Sequence, residues 1–181
     1  MNLLDAEKTC LVIIDMQDAF LKNIFERERL EQNVKILVQA AKVCGLPIVS
    51  TVQYPEKMGY TIESISGMIP DEKPVCKTTF SCVGSGDFDK RIKHLAPRQI
   101  LVCGVESHIC VSQTVIELLG QGYEVHFCAD AISSRTKANW KLGLGKMQQA
   151  GAAITGTETA VFELIRDAST KQFKEMLPWI K

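Results

Sequence analysis

Short apolar runs recur along the chain, and amphipathic stretches separate them. Cys10–Asp15 (CLVIID) is a run of apolar residues closed by an acid, and PIVSTV, VCK at Val75–Lys77, QILVCGV, YEVHFCAD and AAIT follow at intervals. Leu30–Cys44 has helical spacing, with Leu30, Val34, Leu37, Val38 and Ala41 on one face, and Gly45-Leu46-Pro47 ends it. Further helices are expected over Asp87–Leu95, Ser107–Leu119 and Arg135–Ala150, and the tail from Thr157 to Lys181 reads as one or two closing helices. Near-continuous apolar runs that alternate with amphipathic helices predict β-α-β units around a buried parallel sheet, an α/β fold. No linker, repeat or low-complexity block interrupts residues 1–181, so one domain is expected.

Composition narrows the function classes. The 181 residues are 46% hydrophobic and 23% charged, which is ordinary globular protein, and the formal net charge is zero. A surface that tracks phosphates usually leaves a basic excess, so nucleic acid is not the expected partner. The N-terminus carries no basic stretch followed by a signal-type apolar region. No apolar run approaches the roughly 18 residues of a membrane span. Seven cysteines, an odd number and several in apolar runs, argue against a disulfide framework and for a reducing compartment. The expected location is cytoplasmic, and association with mitochondria is compatible with it.

In open parallel sheets ligands bind outside the carboxyl ends of the strands, near the switch in strand order. That rule singles out Asp15, the segment after Val52, Lys77, the segment after Val105, and Asp130. A dinucleotide or phosphate loop does not fit these places. Met16-Gln17-Asp18 follows the first run, GSGDFD at Gly84 follows no strand, and GLGK at Gly143 lies inside a helical pattern. His94, His108 and His126 have no paired spacing and there is no Cys-x-x-Cys, so neither a metal nor another cofactor is expected.

The strongest constellation is GVESHIC, Gly104 to Cys110. A strand ends at a glycine-containing turn, and Cys110 falls in the first turn of the next helix. Unpaired N–H groups and the helix dipole there would lower its pKa and could face an oxyanion. The competing reading is one more small buried residue. Asp15, directly after an apolar strand, could act as general base for the thiol, although a helix or turn cap before Met16–Phe20 would explain it alone. Lys77 ends a second strand and could stabilise a thiolate; the plain alternative is a solvated lysine. His108, two residues from Cys110 on a helix, does not face it.

CLVIIDMQDAF, KTTFS and ILVCGVESHICVSQTVIELLGQGYEVHFCADAISSR together resemble the isochorismatase-like cysteine hydrolase superfamily, from Leu11 to about Phe173. TVQYP and KTTFSCV resemble most the eukaryotic isochorismatase domain-containing subgroup. The resemblance implies a three-layer α-β-α sandwich with a six-stranded parallel, Rossmann-like sheet. It implies an Asp15, Lys77, Cys110 triad and a cis peptide at Val105-Glu106. It also implies oxyanion donors among the backbone amides from Glu106 to Cys110, Ser107 and Ile109 included, and self-association as a homodimer or homotetramer. Nicotinamidase relatives carry an Asp-x-His metal motif after the second strand; here that place reads Gln53-Tyr54-Pro55, a departure that speaks against metal and against nicotinamide. True isochorismate hydrolysis does not use the cysteine, so the superfamily's name does not supply the substrate.

The function expected is hydrolysis of a small amide or related C–N acyl compound through a Cys110 thioester. Phe20, Gln53, Tyr54 and Phe80 are candidate pocket residues, with ordinary packing as the alternative. Asp130, Ser133, Ser134 and Arg135 read first as turn and cap structure. The alternative from another class is a scaffold or partner-binding protein with a weak or vestigial site. A limiting amount of electrophile is expected to modify Cys110 before the other six cysteines.

Overall fold

The structure, a computed structural model, describes residues 2–181. Its centre is a six-stranded sheet formed by β1 (Thr9–Ile14), β2 (Ile48–Gln53), β3 (Val75–Lys77), β4 (Gln99–Val105), β5 (Glu124–Ser133) and β6 (Ala153–Thr155). All neighbouring strands pair in parallel, in the order β3-β2-β1-β4-β5-β6. The chain therefore winds outward from β1 to β3, returns to β4 beside β1, and winds outward again. The switch in order lies between β1 and β4, which is where such sheets open a crevice at their carboxyl ends.

Every residue of β1 and β4 is buried, because helices cover both faces of the sheet. Alternate side chains serve opposite layers. Leu11 and Ile13 of β1 join Leu101 and Cys103 of β4 beneath α2 (Arg27–Cys44) and α8 (Thr157–Ile165). Cys10, Val12 and Ile14 join Ile100 and Val102 beneath α5 (Gly86–Leu95), α6 (Ser112–Gly120) and α7 (Lys137–Gln149). The last helix, α9 (Lys171–Ile180), packs through Met176 on the outer side of α2 and α8. This is the three-layer α/β arrangement expected from the resemblance. Among the described residues no helix is long and apolar enough to cross a membrane.

Some local features depart from the sequence pattern. Short helices α1 (Asp18–Leu21), α3 (Pro55–Met58) and α4 (Glu63–Ser66) interrupt segments that carried no helical spacing. The helix expected from Ser107 begins as a π-helical turn, Ser107–Val111, before α6. Strand β5 continues past Asp130 to Ser133, since Ala131 and Ile132 are again core residues. Asp130 itself accepts hydrogen bonds from the Thr157 N–H and hydroxyl at 2.9 Å, fixing the start of α8. It lies within the strand and serves as a cap only to a helix 27 residues on, not to a local turn.

Two glycines mark close approaches. Gly104, in β4, has φ +111°, and a Cβ there would stand 2.1 Å from the Ile14 carbonyl oxygen. Gly143 lets α7 lie on the π-helical turn, where a Cβ would come within 2.5 Å of the Ser107 carbonyl carbon. The Gly-Leu-Gly-Lys sequence is thus a packing device of a helix.

Candidate active site

Strand β1 ends at Ile14, and the chain turns at once: Asp15 has φ 52°, in the left-handed region. The turn tucks its side chain beneath the crevice instead of out into solvent, leaving the residue 1% exposed. Asp15 caps no helix. Its Oδ1 accepts from the Thr51 hydroxyl at 2.8 Å, and its Oδ2 from Lys77 Nζ at 2.7 Å. The lysine is equally buried. It also donates to Gln53 Oε1 at 2.6 Å and to the Thr79 and Phe80 carbonyls at 3.3 and 3.2 Å. A buried ammonium needs this many acceptors to offset its lost hydration. The alternative of a solvated strand-end lysine does not hold: Lys77 is buried and fully engaged.

Across the crevice, the Val105-Glu106 peptide bond is cis, and the π-helical turn follows. The Ile109 and Val111 N–H groups both donate to the Glu106 carbonyl, at 3.0 and 3.2 Å. The second of these is the five-residue closure that defines a π turn. This corrects one sequence expectation: Cys110 does not stand in the first turn of a regular α-helix. The Ile109 amide, expected as an oxyanion donor, already donates to the Glu106 carbonyl.

Cys110 is 7% exposed and lines the crevice with Asp15. Burial first, and then the Asp15 charge, push its thiol up to about 12 against the opposing pull of Lys77. The lowered pKa expected from a helix N-terminus is not what the structure gives: at neutral pH the thiol is protonated. A second thiol, Cys82, lies under the same site, 3.8 Å from the Thr51 hydroxyl, and burial pushes it up to about 11.

Phe20, Gln53, Tyr54 and Phe80 all border a cavity of about 190 Å³ that opens over Cys110. Gln53 does so while holding Lys77 and donating to the Thr78 carbonyl at 2.7 Å. Phe80 is 58% exposed at the rim. His108 belongs elsewhere: its Nδ1 meets the Ser134 hydroxyl at 2.9 Å, and Ser134 in turn meets Ser107 at 2.7 Å. Those bonds brace the Ser107–Val111 turn from behind.

Several residues around the site gave little or no signal in the sequence. Thr51 and Gln17 are polar residues inside or beside apolar segments. Gln17 bonds the Gln53 backbone through both ends of its amide, at 2.9 and 2.7 Å. Arg135, read as turn structure, reaches the cavity wall and grips the Glu106 carboxylate. Its Nη2, Nε and backbone N lie 2.6, 3.1 and 2.9 Å from the Glu106 oxygens. Burial acts to raise the Glu106 carboxyl, but the Arg135 bonds and charge outweigh it and hold the group below its usual range. Glu106 and Arg135 lie 29 residues apart in sequence, which leaves no spacing to recognise. Among the described residues no group of three His, Cys, Asp or Glu side chains could hold a metal ion.

Comparison with known proteins agrees with this fold. Residues 9–159 match the model of the isochorismatase domain. The chain is 32% identical over 174 residues to isochorismatase domain-containing protein 2 of Danio rerio, covering 96% of this chain and 87% of that protein. Among solved structures, the MAR1 ribonuclease of Caenorhabditis elegans superposes with a TM-score of 0.92 at 28% identity, over 99% of this chain and 92% of that one. The ycaC gene product of Escherichia coli, described as an octameric hydrolase of unknown specificity, superposes with a TM-score of 0.91 at 22% identity, over 98% and 92% of the two chains. With most of its length matched by the family model and a relative above 30% identity over nearly the whole chain, the protein belongs to the isochorismatase family.

Proposed function

We propose that the protein is a cysteine hydrolase that cleaves a small amide or related C–N acyl compound. The observation that carries this reading is the buried Asp15–Lys77 pair, 2.7 Å apart, at the floor of the cavity that Cys110 lines. A paired carboxylate and ammonium, both almost free of solvent, are a costly arrangement for stability alone. Family membership points the same way, toward a hydrolase.

The chemistry follows from the protonated thiol. Asp15 takes the Cys110 proton as the sulfur attacks the substrate carbonyl, so the thiolate need not exist at rest. Carbonyl π electrons move to the oxygen, and the Cys110 amide is the candidate donor to that oxyanion, with the Ile109 amide already spent. Collapse expels the amine, which takes the proton back from Asp15. Water then attacks the thioester, and the acid leaves as the thiol is restored. Lys77, 2.7 Å from Asp15, limits the build-up of negative charge.

A screen of small amides, ureides and carbamoyl compounds against the parent protein and Cys110→Ala tests the reading. Turnover lost in Cys110→Ala, with an acyl adduct trapped on Cys110 by mass spectrometry, is expected. Undiminished turnover in the variant would remove the cysteine from the chemistry. Absence of any turnover would favour a scaffold with a vestigial site. The same reading includes self-association, for which the octamer described for the E. coli protein is the precedent. Light scattering at micromolar concentration is expected to give a mass above 20.1 kDa, and a monomer alone would overturn it.

A further inference from the structure

We infer that Glu106 is a specificity-determining residue: by occupying the Arg135 guanidinium at the cavity wall, it restricts the site to uncharged acyl compounds with a compact apolar acyl group. The inference rests on the hydrolase reading for its chemistry but on the cavity walls for its selectivity.

The charged side chains that line the cavity are Asp15, Glu106 and Arg135. Each already has its counter-charge. Asp15 holds Lys77 at 2.7 Å, and Glu106 holds Arg135 at 2.6 Å with a second contact at 3.1 Å. The two pairs sum to zero charge. The rest of the wall is mostly apolar, with Phe20, Tyr54, Met58, Phe80 and Ile109. A carboxylate or ammonium entering this space would lose its hydration and meet only charges that are already balanced. Burying an ion without a new counter-charge is strongly unfavourable. An uncharged carboxamide loses far less.

Arg135 is what makes the restriction a matter of Glu106 in particular. Its side chain is 58% exposed, whereas that of Glu106 is 8% exposed. An arginine standing free at a cavity rim is the usual receiver of a carboxylate, because its planar fork matches two oxygens. Here the fork is turned to an internal carboxylate that also accepts from the Arg135 backbone N–H at 2.9 Å, so the arginine is held from two sides. An anionic acyl group would either displace Glu106 from that grip, leaving its buried carboxylate unpaired, or settle for the Nη1 edge of an arginine whose charge Glu106 already balances.

Size sets the other limit. A cavity near 150 Å³ accepts benzene, so a cavity of about 190 Å³ holds a six-membered ring or a branched alkyl group with the carbonyl over Cys110.

The test measures binding and turnover separately. Calorimetric titration of Cys110→Ala at pH 7 compares benzamide and isobutyramide with succinamate, an amide bearing a carboxylate, and with glycinamide, which is cationic. The uncharged amides are expected to bind at least tenfold tighter than either charged probe. Adding Glu106→Gln is expected to improve succinamate at least tenfold relative to benzamide, and to leave glycinamide weak. If that variant fails to fold by circular dichroism, Arg135→Gln serves instead; it frees Glu106 and is expected to improve glycinamide at least tenfold. Succinamate binding as tightly as the uncharged amides in the Glu106 protein would overturn the inference, as would no binding of uncharged amides at millimolar concentration. So would unchanged selectivity in the folded variant. Selective binding by the parent protein without any hydrolysis would leave this inference standing and remove the hydrolase reading instead.

Discussion

Cys110 keeps its proton at rest because burial and the Asp15 charge both oppose a thiolate. Cys76 is the cysteine that stands in solvent, in a strand whose outer residues Val75 and Lys77 are buried. A limiting amount of iodoacetamide at pH 7 is therefore expected to label Cys76 first, with Cys110 reacting slowly. Labelling of Cys110 should climb with each pH unit as its thiolate fraction grows toward a pKa of about 12. Peptide mapping of a time course decides between the sites; fast labelling of Cys110 in Cys76→Ser at neutral pH would mean that the thiol is activated before substrate arrives. This reverses the order that position along the chain suggests, and the reason is instructive. Asp15, Lys77 and Cys110 could be picked out because a polar or nucleophilic group at the end of an apolar run is visible in one dimension. Their burial was not. VCK is too short to reveal which of its residues alternates outward. Thr51 and Arg135 became partners of Asp15 and Glu106 only through the pairing of β1 with β2 and the passage of β5 beside β4.

Helix α7 shows how an element some thirty residues from Cys110 in the chain packs on the turn that carries it. Its Gly143 touches the backbone of Ser107, at the start of the turn that carries Cys110. Gly143→Ala would place a methyl 2.5 Å from a carbonyl carbon, which neither backbone can accept without moving apart. We expect a destabilisation of about 1–3 kcal/mol, the usual cost of overpacking, and at least a tenfold loss of turnover. Gly145, in the same helix with open space around it, supplies the control. Gly145→Ala should be neutral or stabilising by about 0.5–1 kcal/mol, since alanine favours a helix. Urea melts and turnover on the two variants check this, and equal behaviour would mean that α7 does not position the turn. At this scale the strands and long helices were legible because their apolar spacing repeats. The four-residue helices α1, α3 and α4 show no period at that length. The π turn follows from close packing of β4, α6 and α7 around it, which no local spacing encodes.

Across the whole molecule, the seven cysteines are free, and Cys10, Cys82, Cys103, Cys110 and Cys128 are buried. Reading most of them as small core residues from their apolar surroundings was sound, and it has a consequence for stability. Burial raises all five buried thiols, Cys10 to about 12 and Cys82 to about 11. In the unfolded chain the same thiols ionise near the ordinary value of about 8.5. Below that pH both states hold their protons, and stability is unaffected. Above it the unfolded chain binds fewer protons than the folded one, so stability falls as pH rises. Each thiol contributes roughly 1–2 kcal/mol of loss per pH unit between its unfolded and folded pKa values. Five together can remove most of a typical stability of about 5–15 kcal/mol within a few pH units. Urea midpoints are therefore expected to hold from pH 7 to 8 and to drop steeply from pH 9 to 11. Lysines and tyrosines also titrate there, so the decisive reading is a difference between variants. Cys10→Ala will shift the midpoint at every pH through its lost packing, but its fall between pH 9 and 11 should be shallower by one thiol's share. Cys76→Ala, which removes an exposed thiol, should leave the slope as it is. Parallel pH profiles for the parent and Cys10→Ala would show that Cys10 can ionise in the folded state, and that the sheet opens to solvent before it unfolds.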